Sequence, residues 1–147
     1  MNPEQLSAHL ASIDPQLWGR FYDLTRSIYN EKNFGQIIDS PKRTEAYLEF
    51  PHWQYTEKIS EFVKMTYELN IVVPFDWREW KEGQAMINDP QQDFTQLDGV
   101  TLCKLITLIV RAERFYEGYL NNCFQNGSVL RIVTALATKD HRSGSMQ

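Results

Sequence analysis

Four of the six prolines in this 147-residue chain directly follow a side chain that caps helices. Proline suits the first helical position, where its missing N–H would have no intrahelical acceptor, and an Asn, Asp or Ser before it accepts from the free backbone N–H groups. The pairs are Asn2-Pro3, Asp14-Pro15, Ser40-Pro41 and Asp89-Pro90. Such pairs predict helix starts. The last pair, Asp89-Pro90, is expected to open only a loop or a single turn. Gln5 and Glu79 follow Asn2 and Asp76 by three residues and predict capping boxes.

Apolar residues recur between these points at helical spacing. Steps of three and four connect Leu17, Phe21, Leu24 and Ile28, and after Pro51 they connect Tyr55, Ile59, Phe62 and Thr66. Residues 71–75 favour a strand but contain Pro74, so we expect an extended connector there. The sequence therefore predicts an all-α fold: one compact domain over residues 1–137 with six or seven helices, and a mobile tail over residues 138–147.

Residues 99–125 predict an amphipathic helix around residues 100–125 at the centre of the fold. On a helical wheel the polar stripe holds Lys104, Thr107, Arg111, Arg114, Gly118, Asn122 and Gln125. The opposite, apolar arc includes Phe115 and Tyr116. Either one long helix or two helices broken near Gly118 fit this pattern, because glycine costs about 1 kcal/mol relative to alanine within a helix. Asn126-Gly127 predicts its end, and Ser128 is expected to cap a last helix.

Glu113 interrupts the apolar arc, at about the same wheel angle as Leu120 and Phe124. A buried carboxylate needs a cation or several hydrogen-bond donors. One hypothesis is therefore an internal ion pair or a set of hydrogen bonds that ties this helix to a neighbour. The alternative is a pocket carboxylate that acts as an acid, a base or a ligand, with Arg111 and Arg114 as an anion clamp beside it.

The stretch that contains Glu113 resembles the signature of a bacterial and phage family of small helical proteins of unknown function. That signature reads Arg-Ala-Glu-Arg-Phe-x-x-Gly-x-Leu, and residues 111–120 match it. The aliphatic run before it and the upstream Phe75-Asp76-Trp77-x-x-Trp80 also fit, so the resemblance covers residues 50–137. Tyr116 departs from the family pattern, because a cysteine is usual there. The final helix also lacks the usual basic and aromatic ending.

The resemblance implies a compact helical protein of a bacterium or its mobile elements, and it implies no particular activity. It marks Arg111, Glu113, Arg114, Phe115 and Gly118 as positions of interest. Glu117 lies within the same motif and is a further candidate for ligand or partner binding. Trp77 and Trp80, three residues apart, predict either a cluster packed on the core or an aromatic contact surface for a partner.

Residue spacings typical of catalytic or metal sites are not found. His9, His52 and His141 lie far apart in the sequence, and no His or Cys pair has ligand spacing. There is no glycine-rich phosphate loop and no Gly-x-Ser-x-Gly element. We therefore expect no metal and no cofactor, and we assign no catalytic residue.

The charge distribution and the short apolar runs argue against nucleic acid and membrane as partners. Residues 1–100 carry 9 basic and 16 acidic side chains, and residues 101–147 carry 6 basic and 3 acidic ones. Without a dense basic stripe, direct nucleic-acid binding is not expected. No apolar run approaches the ~20 residues of a membrane span, and no secretory signal is recognisable. Cys103 and Cys123 lie among aliphatic residues, which favours buried free thiols and a cytoplasmic location.

Three functional hypotheses remain open from the sequence. The first is a non-enzymatic protein-interaction or regulatory module, in which an inhibitor-like role is included. The second is an enzyme, or a protein that binds a small ligand or anion, using Glu113 with Arg111 and Arg114. The third is a structural homo-oligomer whose helices pack across a symmetric interface.

Overall fold

Seven α-helices and a two-stranded ribbon make up the part of the chain described by the computed structural model, which covers residues 2–38 and 52–139. The helices are α1 (Pro3–Ser12), α2 (Pro15–Glu31), α3 (Glu57–Glu68), α4 (Lys81–Asn88), α5 (Gly99–Ala112), α6 (Tyr119–Gln125) and α7 (Ser128–Ala137). Short 3-10 helices span Trp77–Glu79 and Phe94–Gln96. Strands β1 (Gly35–Ile38) and β2 (His52–Tyr55) pair antiparallel, with Gly35 opposite Tyr55 and Ile38 opposite His52. The prediction of an all-α fold is confirmed.

Two of the proline pairs begin helices as the sequence predicts. Asn2 and Gln5 form a capping box at α1, with N···O distances of 2.8 and 3.0 Å. Asp14 caps α2 by accepting from the N–H of Gln16 at 2.9 Å. The Ser40-Pro41 pair lies outside the described residues.

The Asp89-Pro90 pair opens a turn, as expected, whereas the capping box predicted at Asp76 is wrong. Asp89 follows the end of α4 and accepts from the N–H of Gln91 at 2.9 Å, which forms a side-chain-stabilised turn and no helix. Asp76 makes no side-chain cap with Glu79, because residues 77–79 form a 3-10 helix and α4 begins only at Lys81. The chemistry that caps a helix equally stabilises a turn, so an Asp alone does not distinguish the two.

The helix predicted after Pro51 begins later in the chain than the apolar spacing indicates. His52–Tyr55 is strand β2, and α3 begins at Glu57, where Thr56 caps it. Aromatic residues favour strands, and pairing with β1 overrides the weaker helical pattern. The expected connector over residues 71–75 is confirmed as extended chain, and the N–H of Val73 donates to the Thr107 hydroxyl at 2.9 Å.

Helix α5 lies at the centre and is apolar around most of its circumference. Its buried residues are Leu102, Cys103, Leu105, Ile106, Thr107, Leu108, Ile109, Val110 and Ala112. It contacts α1, α4, α6 and α7, as expected of a helix that is hydrophobic on all sides. Cys103 and Cys123 are buried free thiols as predicted, and burial raises the pKa of each to about 12.

The last helix is capped differently from the prediction. Gly127 precedes α7 with a φ of 85°, and the side chain of Asn126 accepts from the N–H of Ser128 at 2.8 Å. The Ser128 hydroxyl instead donates to the carbonyl of Ile87 at 2.7 Å, which ties α7 to α4. Of the expected tail, only residues 138 and 139 are described, and the Lys139 ammonium donates to the Thr95 carbonyl at 2.8 Å. No helix in the described ranges is long and apolar enough to cross a membrane.

Asp98 gives the central helix an acid-sensitive cap. Its side chain accepts from the N–H of Thr101 at 2.8 Å, and the Thr101 hydroxyl and N–H lower its pKa below the ordinary 3.8. We expect Asp98→Ala to cost about 1 kcal/mol of unfolding free energy at neutral pH. The lowered pKa means that this contribution is present above the unfolded-state value and is lost as the pH falls through the folded-state value.

The measurement is urea unfolding of the wild type, Asp98→Ala and Asp98→Asn at neutral pH and at about pH 2, below the usual range of aspartate pKa values. Asp98→Asn keeps an accepting oxygen and serves as the control without a titrating group. The gap between the wild type and Asp98→Ala should shrink in acid. An unchanged gap would show that the charge of Asp98 contributes nothing to the cap.

Candidate functional site

The regular helix α5 ends at Ala112, and a turn over residues 113–118, here called the motif turn, leads into α6. The N–H groups of Phe115 and Tyr116 both donate to the Ala112 carbonyl, at 3.0 and 2.9 Å. Gly118 then adopts a φ of 91°, a left-handed conformation that glycine accepts without a side-chain clash. The continuous helix to residue 125 is therefore wrong, and the two-helix alternative is confirmed.

Glu113 holds the motif turn together from within. Its carboxylate accepts from the N–H groups of Gly118 at 3.1 Å and Leu120 at 2.9 Å, and from the Tyr55 hydroxyl at 2.9 Å. These three hydrogen bonds satisfy the half-buried charge, and no described Lys, Arg or His forms an ion pair with it. Glu113 thus ties its own segment to β2 by hydrogen bonds, in the way that the first hypothesis for it expected.

Tyr55 connects the ribbon to this turn. Its hydroxyl donates to Glu113 and accepts from the N–H of Asn121 at 3.0 Å. Burial, followed by the hydrogen bond to the Glu113 carboxylate, raises the pKa of Tyr55 above its usual value. The phenol therefore stays protonated and remains a donor to the carboxylate.

Among the described residues, Arg111 and Arg114 form no ion pair with Glu113. The Arg111 guanidinium lies 5.8 Å from the centroid of the Tyr67 ring, and its buried Nε has no hydrogen-bond acceptor in the same part of the chain. Arg114 is exposed on the motif turn, as is Glu117. The wheel placed both arginines on one stripe because it assumed a helix through residue 114. The anion clamp beside Glu113 therefore stays a prediction.

Phe115 and Tyr116 face solvent, which corrects their placement in the apolar arc. They are 55% and 61% exposed, the highest values among the large hydrophobic residues that the structure describes. The reason is the end of α5 at Ala112, since the wheel angle loses its meaning where the helix stops. The Phe115 ring lies 5.8 Å from the ring of Trp77, centroid to centroid.

The Arg78 guanidinium lies against both of these rings. Its guanidinium carbon is 3.9 Å from the Phe115 centroid and 5.4 Å from the Trp77 centroid, within the range of cation–π attraction. Trp77, Arg78, Phe115 and Tyr116 together are called the aromatic surface below. Trp80 is not part of it, because its ring packs against Phe75 at 5.6 Å and beneath Gly83.

A groove of about 330 Å³ adjoins the aromatic surface. Leu108 and Ala112 on α5 are buried beneath it, and aromatic and polar side chains complete its lining. The remaining lining residues are Trp77, Arg78, Gln84, Asn88, Tyr116 and Tyr119. Of the predicted site residues, Trp77 alone lines this groove, and Arg111, Glu113, Arg114, Glu117 and Trp80 do not.

Sequence reasoning missed Tyr55 and Arg78. Tyr55 is 58 residues away from Glu113, so no local pattern connects them. Arg78 directly follows Trp77 in the stretch Phe75-Asp76-Trp77-x-x-Trp80 that fits the family, and an arginine beside a candidate aromatic contact is a signal in the sequence. The sequence also held a signal for the motif turn, because Glu113 lies five residues before Gly118. The Glu113 carboxylate can accept from the Gly118 N–H only if the helix ends between the two residues.

Comparison with known proteins identifies a family. The model of DUF6508, described as a family of unknown function, matches residues 13–141, so the chain belongs to this family. The resemblance described above covers residues 50–137. The family match begins earlier in the chain and therefore also includes α2. No curated protein and no solved structure matches the chain.

Proposed function

From this family membership and the exposed aromatic surface, we propose that the chain is a non-enzymatic protein-interaction or regulatory module that binds another protein through that surface. The similarity of residues 111–120 to the bacterial and phage signature supports an origin in a bacterium or a mobile element. Buried free thiols are consistent with the reducing cytoplasm as its location.

The observation that carries the proposal is the exposure of two neighbouring aromatic residues on a rigidly held turn. Phe115 and Tyr116 leave most of their surface in water, although burial of each ring would be favourable. Trp77 and Arg78 extend the same surface, and Trp, Tyr and Arg are the residue types enriched at the energetic centres of protein interfaces. The Glu113 hydrogen bonds fix the turn in advance, which lowers the entropy cost of binding.

The chemistry of the motif favours this function over catalysis. The Glu113 carboxylate is occupied by three donors, so its role in the turn accounts for its burial. The thiols of Cys103 and Cys123 are buried, and their raised pKa disfavours the reactive thiolate. Arg111 lies against the Tyr67 ring and Arg114 is exposed on the motif turn, and among the described residues neither forms an ion pair with Glu113.

Photo-crosslinking in cells of the source organism tests the proposal. A photoreactive phenylalanine derivative is placed at Tyr116, and in a second variant at Leu17, which is 39% exposed on α2 and serves as the matched control. We expect the chain labelled at Tyr116 to form a discrete crosslink to a different protein, identified by mass spectrometry. Adding Phe115→Ser to the labelled chain should remove most of that crosslink.

Two results would contradict the proposal. Equal crosslinking patterns from Tyr116 and Leu17 would show that the aromatic surface has no preferred protein partner. A crosslink at twice the mass of the chain, with no other product, would favour the homo-oligomer instead, since a symmetric interface joins identical surfaces.

A further inference from the structure

We infer that the groove beside the aromatic surface binds an apolar side chain of the partner, while Arg78 pairs with a carboxylate next to that side chain in the same segment. This inference rests on the proposed function and names the kind of segment that the module recognises. The partner segment is a peptide stretch of another protein, in which a large apolar residue neighbours an Asp or Glu.

The floor of the groove is apolar and rigid. Leu108 and Ala112 are 1% and 2% exposed on the central helix, so the floor exists before any ligand arrives. The groove volume of about 330 Å³ is at the lower end of the roughly 300–1,000 Å³ typical of ligand pockets. A space of this size suits one or two apolar side chains better than a large cofactor.

Among the described residues that line the groove, only Arg78 is charged. Among the described residues no carboxylate lies within ion-pair distance of it, and its guanidinium lies against the rings of Trp77 and Phe115. Contact with ring faces leaves N–H groups of a guanidinium available for a carboxylate, which Arg binds through two parallel hydrogen bonds. A positive charge held in place but not neutralised is complementary to an acidic side chain.

The aromatic surface favours a peptide over a free small acid. A small molecule that fills the groove would leave Phe115, which does not line it, uncovered by the ligand. A peptide segment continues past the groove and covers Phe115 as well. Gln84 and Asn88 add side-chain amides to the lining, and amides can pair with the backbone groups of an extended peptide.

Selection from a displayed library of random short peptides, against the purified full chain, tests the inference. We expect selected peptides to combine a large apolar residue with a nearby Asp or Glu. Arg78→Ala should weaken a selected peptide by about tenfold or more, the effect of losing a hydrogen bond to a charged group. Asn88→Trp, at an exposed position on the groove lining, should block the groove and also abolish binding.

Arg114→Ala is the matched control, because this arginine is exposed on the motif turn and does not line the groove. Replacing the peptide carboxylate by its amide should weaken binding to the wild type and not to Arg78→Ala, since the two changes remove one interaction. Peptides that lack acidic residues, or that tolerate both Arg78→Ala and Asn88→Trp, would overturn the inference. If those peptides still require Phe115, the groove inference fails while the proposed function stands. If the chain labelled at Tyr116 forms no crosslink in cells, both the proposed function and the groove inference fail.

Discussion

Replacing Glu113 by alanine is expected to lower the free energy of unfolding by about 2–4 kcal/mol, because the change leaves two backbone N–H groups and one hydroxyl without their acceptor. The N–H groups belong to Gly118 and Leu120, and the hydroxyl belongs to Tyr55. The site is half-buried, so water replaces part of what is lost and the effect stays below that of a fully buried charge. Urea unfolding followed by circular dichroism measures the difference.

Glu113→Gln distinguishes hydrogen bonding from charge at this position. Glutamine keeps one accepting oxygen and places an NH₂ group where the second oxygen accepts, so one donor then faces another donor. We expect a loss smaller than that of alanine but clearly measurable. Glu61→Ala, an exposed carboxylate on α3, serves as the control and should remain within about 0.5 kcal/mol of the wild type. If Glu113→Ala matched that control, the carboxylate would not be what holds the motif turn.

Helix starts were predictable where the chemistry is local. Asn2 and Asp14 cap helices because the donors they satisfy lie two or three residues away along the chain. At Asp89 the same local chemistry stabilises the turn expected there and begins no helix. What separates the two cases is whether the following residues can bury an apolar face, and packing decides that.

The motif turn shows where periodicity misleads. The helical wheel placed Glu113, Phe115 and Tyr116 among buried residues because it extended one regular helix through Gly118. In the structure the helix stops at Ala112, so the two aromatic residues emerge into solvent. Glu113 is half-buried for a different reason, because its carboxylate accepts from N–H groups at the start of α6, which have no acceptor within that helix. The helical wheel therefore singled out Glu113 correctly, although it assumed a helix that does not continue past Ala112.

Long-range contacts mark the limit of sequence reasoning for the candidate site. The hydroxyl of Tyr55 and the guanidinium of Arg78 reach the motif turn from β2 and from the first 3-10 helix. Neither approach follows from spacing, because both depend on how separate segments pack around α5. The family motif singled out Glu113 and Phe115, but it did not reveal that one faces inward and the other outward.

Phe124→Ala is expected to have the largest effect on stability, about 3–5 kcal/mol, the usual cost of removing a buried phenylalanine ring. Phe124 is fully buried on α6, and its ring centroid lies 5.3 Å from Phe62 and 5.7 Å from both Tyr29 and Phe34. Its loss would open a cavity where α2, α3 and α6 meet. Because the stability of a domain is only about 5–15 kcal/mol, Phe124→Leu, a smaller truncation, is measured beside it.

Phe115→Ala is the informative counterpart, since it removes the same ring from the motif turn. We expect its cost to be about 1 kcal/mol or less, mainly the exposed contact with Arg78. Urea unfolding of both variants, with equal dependence on urea concentration as the check on two-state behaviour, gives the comparison. If Phe115→Ala cost as much as Phe124→Ala, the ring would be a structural element and its exposure would no longer argue for a partner. A large difference would instead mean that Phe115 is maintained on the surface without serving the fold, which is the property expected of a binding residue.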